Sequence, residues 1–430
     1  MLNIINHQDL DQSFYDKKSQ DLQQIQQVCQ NIIDDVKNNG DAALIKMANQ
    51  FDGANFKKAD DLLASKQEID SALNNVDEEV IAALKIAKKR IFEYHQRQMP
   101  QDFEYQDELA NKLGNKWIAI QKIGIYVPGG TANYPSSVLM SAIPAIVAGA
   151  KEVSICVPSN KGKVSNEVLV AANLLNIDKI YKIGGAGAIA ALTYGTDIIS
   201  KVDKIAGPGN AYVAMAKKIL FGVVGIDMIA GPTDVLVIAD CHNNSDYIAA
   251  DLLSQAEHGA DSSAILITDN QDFAYKVNDS INKILPTLSR KEIAKTSLKN
   301  FGAIILVDNL QNDAANIANI IAPEHLQISC KNNQNIFDKI TNAGAIFLGQ
   351  YTPEAIGDYI AGPSHTLPTN ATAKFASGLS VFDFLKRTSI INCSKTGFFA
   401  LAKNAALIAN CEGLDAHKLS LTIRKNNQND

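Results

Sequence analysis

The chain has 430 residues, 46% of them apolar and 20% charged, with a formal net charge of −6. Its length suggests roughly two to four domains, and its composition excludes disorder as the main state. The acidic balance, with Lys88, Lys89 and Arg90 as the densest basic run, argues against a nucleic-acid partner.

Residues 1 to about 110 read as helical. Asp77, Glu78 and Glu79 open a segment whose bases come later, an order that suits the helix dipole. Its apolar positions (Val80, Ala83, Leu84, Ala87, Ile91) follow helical spacing. The longest apolar stretch, 138–150, is too short to span a bilayer and contains Pro144. From about 117 the period changes. Short apolar runs at 118–125, 153–157, 180–183, 235–239, 264–268, 303–307 and 345–348 alternate with helix-like stretches. That alternation predicts βαβ units and parallel sheets, enough for two α/β domains. After about 380 the pattern is mixed, with a helix over 396–410 and a polar end expected to fray. Six scattered cysteines form no C-x-x-C pair, and the start is polar without a secretory apolar region. A cytoplasmic protein with reduced thiols and no membrane segment is expected.

Four histidine-bearing pieces could carry chemistry. Gln255 and His258 end a helix three residues apart, so both can address one ion. Pro323-Glu324-His325-Leu326 reads as a loop; its imidazole can take a proton near neutral pH and its carboxylate can activate water. Asp358 and His365 lie in a segment bounded by Gly357, Gly362 and Pro363, which reads as a loop that holds side chains in place. Glu412 and His417 lie in the tail and gain meaning only if it docks on a site. Taken singly, each piece fits a solvated turn or surface at least as well.

Glycine-rich turns form a second set. Gly185, Gly187 and Ala190 fit G-x-G-x-x-A after a strand, with Asp203 beyond. The loops at 126–130 and 207–210 allow close backbone approach of the kind nucleotides use. A phosphate-binding lysine motif and a serine nucleophile elbow are both absent from the sequence.

Together these motifs resemble the histidinol dehydrogenase family, over nearly everything from the first long helix to about Arg424. The most specific stretch runs from Ile226 through Gly231-Pro232-Thr233 to Gln255-Ala256-Glu257-His258-Gly259. The Glu324-His325, Asp358-Tyr359 and Glu412-Gly413-Leu414 segments recur in the family's order. The resemblance implies oxidation of L-histidinol to L-histidine through L-histidinal in two NAD-dependent steps, the last of histidine biosynthesis. It implies one Zn2+ per subunit on Gln255, His258, Asp358 and His417, with Glu324 and His325 catalytic. Substrate contacts would come from Thr233, Gln255, His258, His325, Asp358, His365, Glu412 and His417. NAD contacts would come from Tyr126, Gly187 and Asn210. A homodimer is implied, its intertwined C-terminal tails completing the partner's site.

The implied fold is two Rossmann-like parallel-sheet domains with a helical N-terminal segment and a small C-terminal dimerisation tail. The expected division is a helical segment at 1–23, a first α/β domain at 24–124 plus 235–380 with most zinc ligands, an NAD-binding α/β domain at 125–234, and the tail at 381–430. Gly187 stands where the family commonly carries Gln, which implies one cofactor hydrogen bond fewer or one made through water. The family lacks a standard dinucleotide fingerprint, so the glycines at 185–190 are read as turn geometry. Two alternatives are a sister zinc and NAD dehydrogenase acting on another small alcohol, and a catalytically silent zinc- or nucleotide-binding relative.

Overall fold

The computed structural model describes residues 2–10, 14, 22–129 and 133–426. It divides into two units, residues 1–98 with 120–384 and residues 99–119 with 385–430. The first strand is β1 (Asn3–Asn6); helices Leu22–Phe51, Lys66–Asn75 and Glu78–Gln96 separate it from β2 (Phe103–Gln106) and β3 (Lys112–Ala119). Next come β4 (Lys122–Tyr126), β5 (Glu152–Cys156), β6 (Ile180–Tyr181), β7 (Lys204–Ala206) and β8 (Gly225–Ile226). Then follow β9 (Asp234–Ala239), β10 (Ser263–Thr268), β11 (Gly302–Leu306), β12 (His325–Ser329), β13 (Ala345–Leu348) and β14 (Leu385–Asn392).

The first unit holds two parallel sheets, ordered β6-β5-β4-β7-β8 and β1-β11-β10-β9-β12-β13. Counted from its own first strand, each has the doubly wound order 3-2-1-4-5, and β1 is added to one edge of the larger. Helices cover both faces, so central strands are apolar throughout rather than alternating. In β9, Val235, Val237 and Ala239 pack under Ile248 and Leu252 on one face. Leu236 and Ile238 of the same strand meet Leu310 and Ala314 on the other. No helix among the described residues is long and apolar enough to cross a membrane.

Three features depart from the expected division. The helical N-terminal region begins at Leu22, and Asn3–Asn6 ahead of it is a strand, where a helical segment over 1–23 was expected. Ile4 and Ile5 pair with Ile304 and Ile305, a long-range contact that four residues of sequence cannot announce. Residues 1, 11–13 and 15–21 of that expected segment, Gly130 of the 126–130 turn and residues 427–430 of the tail lie outside the described residues.

The second departure concerns 24–124, which was grouped with 235–380. Helix Leu22–Phe51 instead lends Cys29, Ile33, Val36, Leu44 and Met47 to the core of the five-stranded sheet. There they meet Ala188, Ile189 and Leu192 of helix Gly185–Tyr194 and Val213 and Ala216 of helix Ala211–Leu220. The boundary expected at 124 falls inside β4.

The third lies in the second unit, which is larger than the expected tail. It joins 99–119 to 385–430 through an antiparallel sheet ordered β14-β3-β2. All eight residues of β14 pair with β3, from Leu385 opposite Ala119 to Asn392 opposite Lys112. Val381 and Phe384, assigned to the tail from sequence, are buried in the first unit. Helices Lys395–Cys411 and Asp415–Asn426 complete the second unit.

Gly187 is buried within helix Gly185–Tyr194. A Cβ there would meet Met47 Sδ at 2.8 Å and Leu44 Cδ2 at 3.7 Å. Any contact this position makes with a cofactor is therefore limited to backbone. Gly187→Gln is expected to overpack the core and cost about 1–3 kcal/mol in urea unfolding. Adding Met47→Ala should recover part of that loss; an unchanged midpoint in the single variant would contradict the packing.

Candidate active site

In the five-stranded sheet the strand order reverses between β4 and β7, and loops after both strands open at their carboxyl ends. Doubly wound sheets bind ligands at such a place. Tyr126 ends β4 and is buried, its hydroxyl accepting the Gly185 N–H at 3.1 Å. Asn210 caps helix Ala211–Leu220, its Oδ1 accepting from the N–H groups of Tyr212 and Val213. Its amide nitrogen is the group left to face a ligand. The turn between them is pinned from below. Lys217 donates to Gly207 O at 3.0 Å and pairs closely with Asp227, which accepts the Gly207 N–H at 2.8 Å. Gly207 has φ +113°, and a Cβ there would lie 2.1 Å from Tyr126 O, so only glycine fits. The G-x-G-x-x-A glycines follow β6, the third strand of this sheet and its edge. A dinucleotide fingerprint belongs after the first strand, so the match is turn geometry.

Three of the four histidine-bearing pieces gather on the larger sheet, at the amino ends of adjacent strands β9 and β12. Ala322 takes a left-handed conformation (φ 49°) at the end of helix Leu310–Ile321 and turns the chain into Pro323. Glu324 and Asp234 then bridge the two strands. Glu324 N–H donates to Asp234 Oδ1 at 2.8 Å, and Asp234 N–H donates to Glu324 Oε2 at 3.2 Å. Thr233 Oγ1 makes a close hydrogen bond with the same Glu324 oxygen. His325, expected in a loop, is the first residue of β12 and is 3% exposed. Its Nδ1 donates to the Asp234 carbonyl at 3.1 Å. Its Nε2 has no hydrogen-bond partner among the described residues and faces Asp358 Oδ1 at 3.6 Å.

Gln255 closes helix Ser245–Ala256 and is 0% exposed. The surroundings orient its amide: the nitrogen donates to Glu354 Oε1 and Oε2 at 2.6 and 3.2 Å, and the oxygen accepts from Thr233 Oγ1 at 2.8 Å. Glu354 opens the short helix Glu354–Tyr359, and Asp358 follows one turn later on the same face. His258, Glu354 and Asp358 each offer a ligand atom, all within 4.8 Å of one another. This nitrogen and oxygen donor set suits a divalent cation such as zinc without thiolate. His365 stands behind Asp358. Its Nδ1 donates to the Asp358 carbonyl at 2.9 Å, and its Nε2 accepts from Ser137 Oγ at 3.2 Å. Nδ1 thus holds the Asp358 backbone, while Nε2 is tied to Ser137.

The structure therefore brings Thr233, Gln255, His258, Glu324, His325, Asp358 and His365 together. Glu412 and His417 lie in the second unit, exposed, and line one shallow groove with Ile408 and Leu414. Glu354 was not anticipated. Its one sequence signal is a helix-start glutamate after Pro353, four residues before Asp358.

A family model for histidinol dehydrogenase matches residues 15–425. A histidinol dehydrogenase of Agrobacterium fabrum is 50% identical over 414 residues, 96% of this chain and 95% of its own. One from Rhodospirillum rubrum is 49% identical, covering 95% of this chain and 94% of its own. The crystal structure of the Elizabethkingia anophelis histidinol dehydrogenase superposes with a TM-score of 0.92 at 37% identity, covering 100% of this chain and 99% of that one. The chain belongs to the histidinol dehydrogenase family. It is an oxidoreductase.

Charge in this dehydrogenase site is costly to bury. Burial raises Glu324 to about 7, with nearby Asp234 adding to the shift and His325 opposing it. Burial also raises Glu354, again against His325. For His325 burial disfavours the cation, but Glu354, Glu324 and Asp358 outweigh it and hold the imidazole well above its ordinary value. Burial likewise disfavours the Asp358 anion, yet His325, His365 and His258 keep its carboxyl low. A bound cation would take over the role of His325 as the positive partner and free it to act as a base.

A buried acid with a raised pKa favours folding only while protonated. The contribution of Glu324 is full below the unfolded value of about 4.3 and is lost as pH rises through about 7. Glu324→Gln is therefore expected to stabilise the metal-free protein at pH 8 by on the order of 2–3 kcal/mol. The gain should shrink toward pH 5 in melting experiments. An equal gain at both pH values would exclude an ionised Glu324 as the cause.

Proposed function

We propose that this enzyme oxidises L-histidinol to L-histidine through L-histidinal, the last step of histidine biosynthesis, with NAD and one zinc ion per subunit. The observation that carries this reading is the His325 imidazole. Its Nδ1–H is committed to a backbone carbonyl and its unpartnered Nε2 faces the carboxylate of Asp358, so a cation bound there, replacing the positive charge these carboxylates favour on the ring, would leave Nε2 free to accept a proton. Gln255, His258 and Asp358 would hold the zinc, with His417 as a further ligand. Tyr126 and Asn210 flank the crevice for NAD, where Gly187 offers backbone only. When bound, zinc orients the substrate's imidazole and amine, and NAD accepts a hydride in each oxidation.

The chain's own groups move the protons. His325 Nε2 takes the hydroxyl proton of histidinol as hydride leaves the carbon, giving the aldehyde. Glu324 then takes a proton from a water as that water adds to the aldehyde carbon, and His325 returns its proton to the carbonyl oxygen, giving the gem-diol. His325 accepts the second hydroxyl proton as the second hydride departs, leaving the carboxylic acid. Thr233 holds Glu324 in place throughout, and His365 holds the backbone of Asp358.

A homodimer in the cytoplasm completes the reading. The tail helices expose Leu401, Leu407, Ile408, Leu419 and Ile423, an apolar set that suits burial against a second copy. Glu412 and His417 lie within this set and would serve the partner's site.

The metal-replete enzyme is expected to form two NADH per histidinol consumed, to lose activity on chelation and to regain it with zinc. One NADH with aldehyde as product, or none, would overturn the four-electron assignment. His325→Asn should lower kcat by ~10²–10⁴-fold while zinc stays bound. Glu324→Gln should slow oxidation of added histidinal more than that of histidinol. Equal slowing of both steps would remove Glu324 from the hydration step.

A further inference from the structure

Glu354 is 2% exposed and sits between the two halves of the site. Its carboxylate receives two bonds from the Gln255 amide nitrogen, at 2.6 and 3.2 Å, and its Oε1 lies 3.7 Å from His325 Nδ1. A carboxylate buried this deeply needs hydrogen-bond donors, and the Gln255 amide is one. The bond has a second effect. An amide has two ends of nearly equal shape and opposite polarity, and a cation binds only the oxygen. Beside a bound cation the Glu354 carboxylate is ionised; it then accepts and never donates, so it selects the nitrogen of Gln255 and turns the oxygen away. That oxygen lies 2.8 Å from Thr233 Oγ1, whose single proton serves either Gln255 or Glu324, and it keeps a lone pair for a metal. Gln255 is fully buried, so water cannot set its orientation instead.

We infer that Glu354 is a positioning residue: it fixes the Gln255 amide with its oxygen presented to the metal. The inference rests on the reading of Gln255 as a metal ligand proposed above. The competing role is direct ligation, since an oxygen of Glu354 lies among the atoms shared with His258 and Asp358. The two roles differ in how Glu354 and Gln255 combine. A positioning residue acts only through Gln255, whereas a ligand acts independently of it.

The experiment measures Zn2+ affinity by competition with a chelating dye for the full-length protein and for Glu354→Gln, Gln255→Ala and the double variant. Glu354→Gln replaces an accept-only group by an amide that can face either end of Gln255. It is expected to weaken zinc about 10–100-fold, the range for groups that orient a metal ligand. Gln255→Ala should weaken zinc at least as much, and the double variant should be no weaker than Gln255→Ala. Glu354→Asp keeps an accept-only carboxylate and should bind zinc more tightly than Glu354→Gln, which answers the question even if the glutamine variant folds poorly. The visible spectrum of the Co2+ form should change in Glu354→Gln and not further in the double variant. Unchanged affinity in Glu354→Gln would overturn the inference while leaving Gln255 as a ligand. A double variant weakened by the product of the two single losses would make Glu354 a ligand and overturn it. Wild-type affinity in Gln255→Ala would remove the ligand reading and the inference with it.

Discussion

The parallel pairing of β9 with β12 is the constraint on which the site depends. These strands lie next to each other because the sheet reverses its direction of winding there, although Asp234 and Glu324 are 90 residues apart in sequence. Each residue donates its backbone N–H to the other's carboxylate, so the amino ends of the two strands are locked together before any side chain is asked to do chemistry. From that lock follow the place of Thr233 before one strand and of His325 on the other. Gln255, at the end of the helix that leaves β9, then falls beside Thr233. A shift of one residue in register would turn His325 to the opposite face of the sheet and leave its Nδ1 without the Asp234 carbonyl.

The same geometry concentrates carboxylates where a fold alone would not place them. Glu324, Glu354 and Asp358 surround one imidazole, and two of them are raised by burial. Proteins commonly place their least stable electrostatics at functional sites, and this arrangement fits that pattern. The surrounding core supplies the surplus. β9 is buried over its whole length, and apolar layers lie on both of its faces. Rigid strands also suit the task, since proton transfer needs its donor and acceptor held within a few tenths of an ångström.

Much of this was legible in the sequence, for reasons that differ by element. The central strands announce themselves because strands covered by helices on both faces are continuous apolar runs between glycines and prolines. Gln255, His258, Glu324, His325 and Asp358 stand out through their chemistry and motif context. Three kinds of feature were not legible. β1 and β3 are held by partners hundreds of residues away, and short edge strands such as β1 and β2 carry weak local patterns. His325 reads as a loop residue because Pro323 and two polar neighbours mask the start of β12; Gln327 within that strand is polar and yet buried. Glu354 lacks a histidine or glycine beside it to mark it, and its importance comes from what the fold lays against it. Gly187 shows the converse: a glycine in a motif-like setting whose job is to let Met47 approach.

The two sheets share one strand order but work from opposite ends. The larger carries its acid–base cluster at the amino ends of its strands, in the αβ loops, whereas the crevice of the smaller opens at the carboxyl ends, in the βα loops. The two candidate sites therefore draw on two separate inventories of loops within one unit. Loop substitutions that retune the crevice need not disturb the residues that build the cluster, and the reverse also holds. A scaffold of this kind can drift in how it grips one ligand while conserving how it transforms another, which gives natural variation a route to new affinities that leaves the chemistry untouched.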